Sequence, residues 1–277
     1  MGTLPAVARA ARHFWEEPCL SGTRGSGAVF FCGCQLGCVF CQNAPISRGG
    51  QRGRAVTPRA LSELFSRVEA LGVHNLNLVS AAHVWPAVLE ALALRRPGIP
   101  VVWNSGGYES PEAIRAMRGL VDVFLPDLKF AKASTARELA AAPDYYEVAL
   151  AAVKAMREQT GAAVYDADGL MTGGTLVRHL VLPLRVDETL TILDAVAREL
   201  PPGTPVSLMR QYTPMPSVTA KGLDRRLTAR EYARAQDRYF ALGLEGYLQE
   251  REAATRAYTP AFLDEESLKL LDGLETP

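Results

Sequence analysis

Three thiols fall within the eight residues Cys34-Gln35-Leu36-Gly37-Cys38-Val39-Phe40-Cys41. The C-x3-C-x2-C spacing lets all three face one centre from a single loop, as the thiolate ligands of an iron-sulfur cluster must. A cubane cluster held by only three local cysteines would leave one iron open to a small molecule, and chemistry could occur at that corner. A structural zinc site closes with a full set of protein ligands, usually as paired C-x2-C knuckles. No second C-x2-C exists in the chain, which disfavours zinc. Buried free thiols are the remaining reading, because cysteine packs as a small hydrophobe. Gly33 and Gly37 beside the thiols point instead to a backbone bent around a ligand. Cys19 and Cys32, outside the motif, read as ordinary thiols near strand ends, since reactivity requires a special environment.

The composition sets bounds on what surrounds this loop. The chain has 277 residues, 48% hydrophobic and 22% charged, enough for a substantial core. Barrels of alternating strands and helices reach this length as one domain. With 30 basic and 30 acidic residues the formal net charge is zero, so no general attraction to nucleic acid or to an anionic membrane is expected. Arg48, Arg52 and Arg54 are interleaved with Gly49, Gly50 and Gly53 and read as a flexible solvated loop. No apolar run reaches the ~20 residues that span a bilayer, and Met1 to Arg12 lacks the layout of a signal peptide. A cytoplasmic protein is expected. Five cysteines clustered in the first 41 residues suit a reducing compartment rather than a disulfide framework.

The elements that would position the thiols follow from periodicity. Residues 4–14 are rich in alanine and predict a short helix, with Pro5 in its first turn. Glu16 to Gly25 reads as a loop. Ala28 to Phe31 is an apolar run of strand length that ends directly at the cysteines. Thr57-Pro58 opens a helix with Leu61, Leu64, Phe65, Val68 and Leu71 on one face, stopped by Gly72. The unit then recurs. Strands are expected at Leu76–Ser80, Val101–Asn104, Val121–Leu125, Thr175–Leu182 and Pro205–Met209. Helices are expected at Val84–Arg95, from Ser110-Pro111, over Ala133–Gln159 with a break near Pro143, from Asp187, and from the capping box Thr228-x-x-Glu231.

Six strand-then-helix units predict an α/β fold with a parallel sheet and helical crossovers, curved into a partial (β/α)6 barrel. The expected division is an N-terminal extension over 1–24, a barrel core over 25–245 and a charged tail over 246–277, in which Tyr258-Thr259-Pro260-Ala261-Phe262 is a candidate docking point. Reactive groups of such barrels lie at the carboxyl ends of the strands. Those ends carry the cysteines, Ser80 to His83, Asn104-Ser105-Gly106-Gly107-Tyr108-Glu109, Asp127-Leu128-Lys129 and Gln211-Tyr212.

The run Gly25-Ser26-Gly27-Ala28-Val29-Phe30-Phe31-Cys32-Gly33-Cys34 through Cys41-Gln42-Asn43 closely resembles the radical S-adenosylmethionine (radical SAM) superfamily. Within it, the run is most similar to the activating enzymes of pyruvate formate-lyase type. The resemblance implies that Cys34, Cys38 and Cys41 hold a 4Fe-4S cluster whose open iron chelates S-adenosylmethionine, with Phe40 near the adenine. Asp127-Leu128-Lys129 resembles the family's DLK segment. Physically, Lys129 could pair with the methionyl carboxylate while Asp127 accepts from an amine or orders the lysine; a structural ion pair at the rim is the alternative. Asn104 and Ser105 look like the third-strand cofactor contacts. Where relatives place Gly-Gly-Glu to receive the methionyl amine, this chain has Ser80-Ala81-Ala82-His83, which leaves Ser80 as the candidate and His83 as a helix cap. Gln211 stands where the family has a histidine near the ribose. Arg178 and His179 could point to opposite faces of their strand, so that one of them projects into the barrel; a hydrogen-bonded core side chain is the expected account of either.

The implied activity is reductive cleavage of S-adenosylmethionine to a 5'-deoxyadenosyl radical that abstracts a hydrogen atom, most closely in activating a glycyl-radical enzyme. The implied partners are that enzyme and a low-potential electron donor such as flavodoxin or ferredoxin. The alternatives are a radical enzyme acting on a small molecule or another protein or peptide, and a non-catalytic iron-sulfur electron-transfer protein. A barrel two units short of eight should leave a lateral gap through which a macromolecular substrate could enter, unless the N-terminal segment or the tail fills it.

Overall fold

A computed structural model describes residues 4–48, 53–215, 218–249 and 262–276. The first half of the chain runs β1 (Ala6–His13), α1 (Pro18–Ser21), β2 (Ser26–Phe31), α2 (Ala44–Ser47), β3 (Arg54–Ala55), α3 (Pro58–Glu69), β4 (Leu76–Val79) and α4 (Trp85–Leu94). It continues through β5 (Val101–Ser105), α5 (Pro111–Ala116), β6 (Val123–Pro126), α6 (Ala133–Ala140) and α7 (Tyr145–Thr160). The remainder is β7 (Val164–Tyr165), β8 (Met171–Thr175), β9 (Val177–Leu180), α8 (Val186–Glu199), β10 (Val206–Met209), α9 (Ala229–Ala241), β11 (Gly246–Leu248) and α10 (Glu265–Leu271).

The six expected strands appear as β2, β4, β5, β6, β9 and β10, in that spatial order and parallel throughout. An eight-stranded sheet in the order β3-β1-β2-β4-β5-β6-β8-β7 meets a three-stranded sheet in the order β11-β10-β9. The seam is a parallel bridge from Asp127 to Arg178, with Leu128 N–H donating to Arg178 O at 2.8 Å. The result is a curved, unclosed parallel sheet with β1 and β3 at one edge and β11 at the other.

Alternation along each strand sorts the two faces. Outward, Val29, Phe31, Leu76, Leu78, Val101, Trp103 and Phe124 form one core with α3, α4 and α5. Val177, Val206 and Leu208 form another with α8 and α9. The helix starts are those expected: Thr57 and Ser110 cap α3 and α5, and Thr228 with Glu231 forms the capping box of α9.

Residues 4–14 are not a helix. The alanines favour one by propensity, but β1 lies antiparallel along β2 and is buried at every residue except Arg12. Covering an otherwise open sheet edge outweighs intrinsic helix preference there. The chain then turns inward, and Cys19 and Leu20 of α1 pack against Val102, Val123, Leu125 and Leu176. The N-terminal segment therefore fills one end of the barrel. The tail is stitched to the outer edge of β1. Leu263 N–H donates to Ala8 O at 2.9 Å, Ala10 N–H donates to Ser267 Oγ at 3.2 Å, and Arg9 pairs with Asp264.

Phe262 of the tail meets Phe30 edge-on at 6.1 Å on the inner face. The rest of the candidate docking point, Tyr258 to Ala261, lies outside the described residues, as does Gly49 to Arg52 of the basic loop. The flanking arginines of that loop are tethered: Arg48 donates to Gly37 O, and Arg54 donates to Leu271 O and Leu274 O at 2.6 Å. No helix among the described residues is long and apolar enough to cross a membrane.

Candidate active site

The thiol loop follows β2 and is held against α6. Gly37 N–H donates to Ala140 O at 3.0 Å and Val39 N–H to Leu139 O at 2.8 Å. Gly33, at φ +90°, lets the chain leave the strand, and its N–H donates to Ile46 O. The His83 ring lies against Gly33, with Nε2 2.7 Å from Cys32 O, so His83 ties the start of the loop to the end of β4 rather than only capping a helix.

The loop opens on a cavity of about 240 Å³. Cys34, Cys38, Cys41 and Phe40 line it from the loop, Ser80 from the end of β4, Asn104 and Ser105 from β5, Asp127 and Lys129 from beyond β6, and Gln211 from beyond β10. Every side chain singled out as a site candidate faces this one space. It also receives His13, Trp15, Glu16, Phe30, Arg178, Leu180 and Met209.

The thiols are close enough to act on one another. Burial pushes the Cys38 thiol up to about 12, with Cys41 and Cys34 adding to the rise while Lys129 opposes it. Cys34 is raised by burial as well. Among the described residues, however, no three His, Cys, Asp or Glu side chains converge as one metal ion would require. Phe40 is fixed by edge-on contacts with Phe130 at 6.2 Å and Tyr212 at 6.1 Å, and it forms an apolar wall beside the thiols.

Opposite the thiols lies a connected set of charges. Lys129 donates to Asp127 Oδ2, and Arg178 Nε donates to Asp127 Oδ1 at 2.9 Å. Arg178 Nη1 reaches Glu16 Oε2 at 3.1 Å, and Nη2 donates to Asn104 Oδ1 at 2.6 Å. Glu16 Oε1 accepts from Asn77 and from Asn104, each at 3.0 Å. Burial works to raise the Asp127 pKa, but the adjacent Arg178 and Lys129 charges hold it below the usual carboxylate value. Burial likewise works to lower Lys129 and Arg178, and the Asp127 carboxylate keeps both above their ordinary values. Asp127 is therefore a carboxylate, and Lys129 and Arg178 are cations, near neutral pH.

The segment after β6 is pinned from behind by a residue that sequence reasoning missed. The Tyr145 hydroxyl accepts from Lys129 N–H at 3.0 Å and lies 2.7 Å from Asp127 O and 2.8 Å from Gly106 O. Gly107 has φ +74°, and a Cβ there would lie 2.2 Å from Asp127 O, so the loops after β5 and β6 can approach this closely only with glycine. Ser80 is also left-handed, at φ 60° without being glycine. Such strain costs of order 1–3 kcal/mol and collects at functional sites. The Gln211 carboxamide accepts from Gln249 at 3.3 Å.

Glu16 and Asn77 were also missed as site residues, and Arg178, weighed chiefly as a hydrogen-bonded core side chain, enters the site. Arg178 and His179 do point to opposite faces, as their strand position predicts. Arg178 enters the cavity, while His179 packs outward between Leu128 O at 2.6 Å and Thr189 Oγ1 at 2.8 Å. The signal was present in the alternation: Asn77, Asn104 and Arg178 are polar residues at inward positions of otherwise apolar strands.

A parallel partial barrel with thiols at the carboxyl end of its first parallel strand and an acid-base pair at the end of its fourth defines a cofactor-dependent barrel protein. The chain belongs to the radical SAM superfamily, whose family model matches residues 28–175. Its cofactors are accordingly a 4Fe-4S cluster and S-adenosylmethionine. The uncharacterized protein MJ0674 of Methanocaldococcus jannaschii is 29% identical over 223 residues, covering 76% of this chain and 60% of that protein.

In fold, the chain is similar to HydG, a maturase of the FeFe-hydrogenase, with a TM-score of 0.55 and 11% identity over 81% of this chain and 50% of that one. It is also similar to methylornithine synthase (PylB), with a TM-score of 0.53 and 15% identity over 79% of this chain and 66% of that one. The chain thus spans 50–66% of the length of these relatives.

Proposed function

We propose that Cys34, Cys38 and Cys41 hold the cluster, that S-adenosylmethionine occupies the adjoining cavity, and that the protein is a radical SAM enzyme. The observation that carries this reading is the convergence on one cavity of the three thiols with the Asp127–Lys129 pair. When bound and reduced, the cluster supplies the electron that splits S-adenosylmethionine into methionine and a 5'-deoxyadenosyl radical able to take a hydrogen atom from a substrate.

The protein's task is orientation and exclusion of water. Lys129 uses one ammonium donor on Asp127 and keeps the others for the methionyl carboxylate. Phe40 offers its face to the adenine. Ser80 and Ser105 offer hydroxyls, and Gln211 its amide, to the amine and ribose. Leu36, Leu180 and Met209 give the cavity its apolar surface. A reducing cytoplasm suits the free thiols, with flavodoxin or ferredoxin as electron donor.

The thiol loop's likeness to activating enzymes supports a glycyl-radical enzyme as the substrate. A second reading, a small-molecule substrate, is favoured by a specific observation: Trp15 and Glu16 of the N-terminal segment line the cavity beside Phe30, which Phe262 of the tail meets edge-on. Anaerobic reconstitution with iron and sulfide, followed by reduction in the presence of S-adenosylmethionine, tests the enzyme reading. 5'-Deoxyadenosine is expected, and a fully reconstituted cluster that yields none would contradict it. Coupled formation of a protein glycyl radical with a candidate partner separates the two substrates.

A further inference from the structure

Glu16 comes from the connection between β1 and α1, yet its carboxylate lies in the cavity among side chains of β4, β5 and β9. Its partners leave little freedom. Arg178 spends Nε on Asp127, Nη1 on Glu16 and Nη2 on Asn104. Asn104 spends its amide nitrogen on Glu16 and its carbonyl oxygen on Arg178. Neither side chain can turn to a ligand without giving up a buried, charge-assisted contact. Lys129 spends one of its three donors on Asp127, which sets its direction.

We propose that Glu16 is a positioning residue for S-adenosylmethionine, acting through Arg178 and Asp127 on Lys129. The inference rests on the assignment of Lys129 to the methionyl carboxylate. The physical argument is one of competition. A guanidinium is a planar fork that prefers to engage a carboxylate through two N–H groups. Nη2, the fork partner of Nε, is engaged by Asn104, whose amide Glu16 holds in place, so Arg178 holds only Oδ1 of Asp127 and leaves Oδ2 to Lys129. Without Glu16, the buried guanidinium loses one acceptor, Asn104 loses its anchor and releases Nη2, and the set loses one negative charge. Arg178 then takes both oxygens of Asp127, and Lys129 loses the contact that aims it. The N-terminal segment thereby supplies a polar part of the cofactor site that lies outside the residues matched to the family model.

The test compares two ligands on the anaerobically reconstituted full chain by calorimetry. S-adenosylmethionine carries the methionyl amine and carboxylate, whereas 5'-methylthioadenosine lacks both and retains the adenosine. In Glu16→Ala, affinity for S-adenosylmethionine should fall about tenfold while that for methylthioadenosine stays within about twofold. Glu16→Gln preserves the side-chain volume and an acceptor for Arg178. It should show the same selective loss in weaker form, and it carries the test if the alanine variant does not fold. Loss of both ligands in parallel, or of neither, in Glu16→Gln would overturn the proposal, since a merely structural residue would not distinguish them. Lys129→Ala separates the two levels of the argument. If it leaves the ligand ratio unchanged, the Lys129 assignment fails and the inference with it. If it lowers the ratio and the Glu16 variants do not, the inference alone fails.

Discussion

Replacing Tyr145 with Phe removes one oxygen atom from the point where the loops after β5 and β6 are joined. The hydroxyl is wholly buried; it accepts from Lys129 N–H, and its single proton serves Asp127 O or Gly106 O. The ring itself is held independently, stacked on Tyr108 at 6.0 Å and edge-on to Phe130 at 5.3 Å, so the Phe variant should keep its place. What it loses are the partners of a buried N–H and of one buried carbonyl. An orphaned buried polar group costs about 1–3 kcal/mol, so the sum is about 2–6 kcal/mol. At roughly 2–4 °C per kcal/mol for chains of this size, melting should fall by roughly 4–24 °C.

Tyr108→Phe is the control, because that hydroxyl donates to Asp144 at the surface and its loss should cost under about 1 kcal/mol. Thermal unfolding followed by circular dichroism reads both variants, and calorimetry reads S-adenosylmethionine affinity. Tyr145→Phe should also weaken the cofactor, because Lys129 loses its backbone anchor. Equal small shifts in the two variants, with affinity intact, would refute the view that Tyr145 holds the Asp127–Lys129 segment in place.

Three further outcomes are expected. Alanine at Cys34, Cys38 or Cys41 should abolish the visible absorption and iron content of a reconstituted cluster, whereas Cys19→Ala should retain both; a full cluster in Cys38→Ala would remove that residue from the ligand set. Gly107→Ala must push against Asp127 O from a left-handed backbone, which costs ~1–2 kcal/mol before the collision is counted, so it should lower the melting temperature and S-adenosylmethionine affinity together. Stability should also fall as pH drops from 6.5 toward 4. Burial lowers both His13 and His179 from 6.5 to about 4, with Arg9 adding to the effect at His13. In that window the unfolded chain binds protons that the folded chain refuses, so each histidine contributes a slope of up to about 1.4 kcal/mol per pH unit. Denaturant titrations of His179→Gln against the parent should show a shallower slope, and an unchanged slope would exclude His179 as a source.

The sequence by itself determined the repeating strand-helix order, the helix caps and the cysteine loop, because each depends on residues a few positions apart. Alternation, an N-cap and a C-x3-C-x2-C spacing are local, and local patterns survive reading without coordinates. Asp127 and Lys129 were legible for the same reason, as neighbours on one short segment at a strand end. Tertiary structure alone decided that residues 6–13 form a strand, since their alanine content favours a helix and only the open edge of β2 reverses it. It also decided that Glu16 meets Asn77, Asn104 and Arg178, residues 61, 88 and 162 positions away. A carboxylate in a loop and an arginine in a strand each read as unremarkable alone. Their meaning comes from desolvation, which makes a buried charge tolerable only beside its opposite, and that pairing exists only once the N-terminal segment has folded into the barrel.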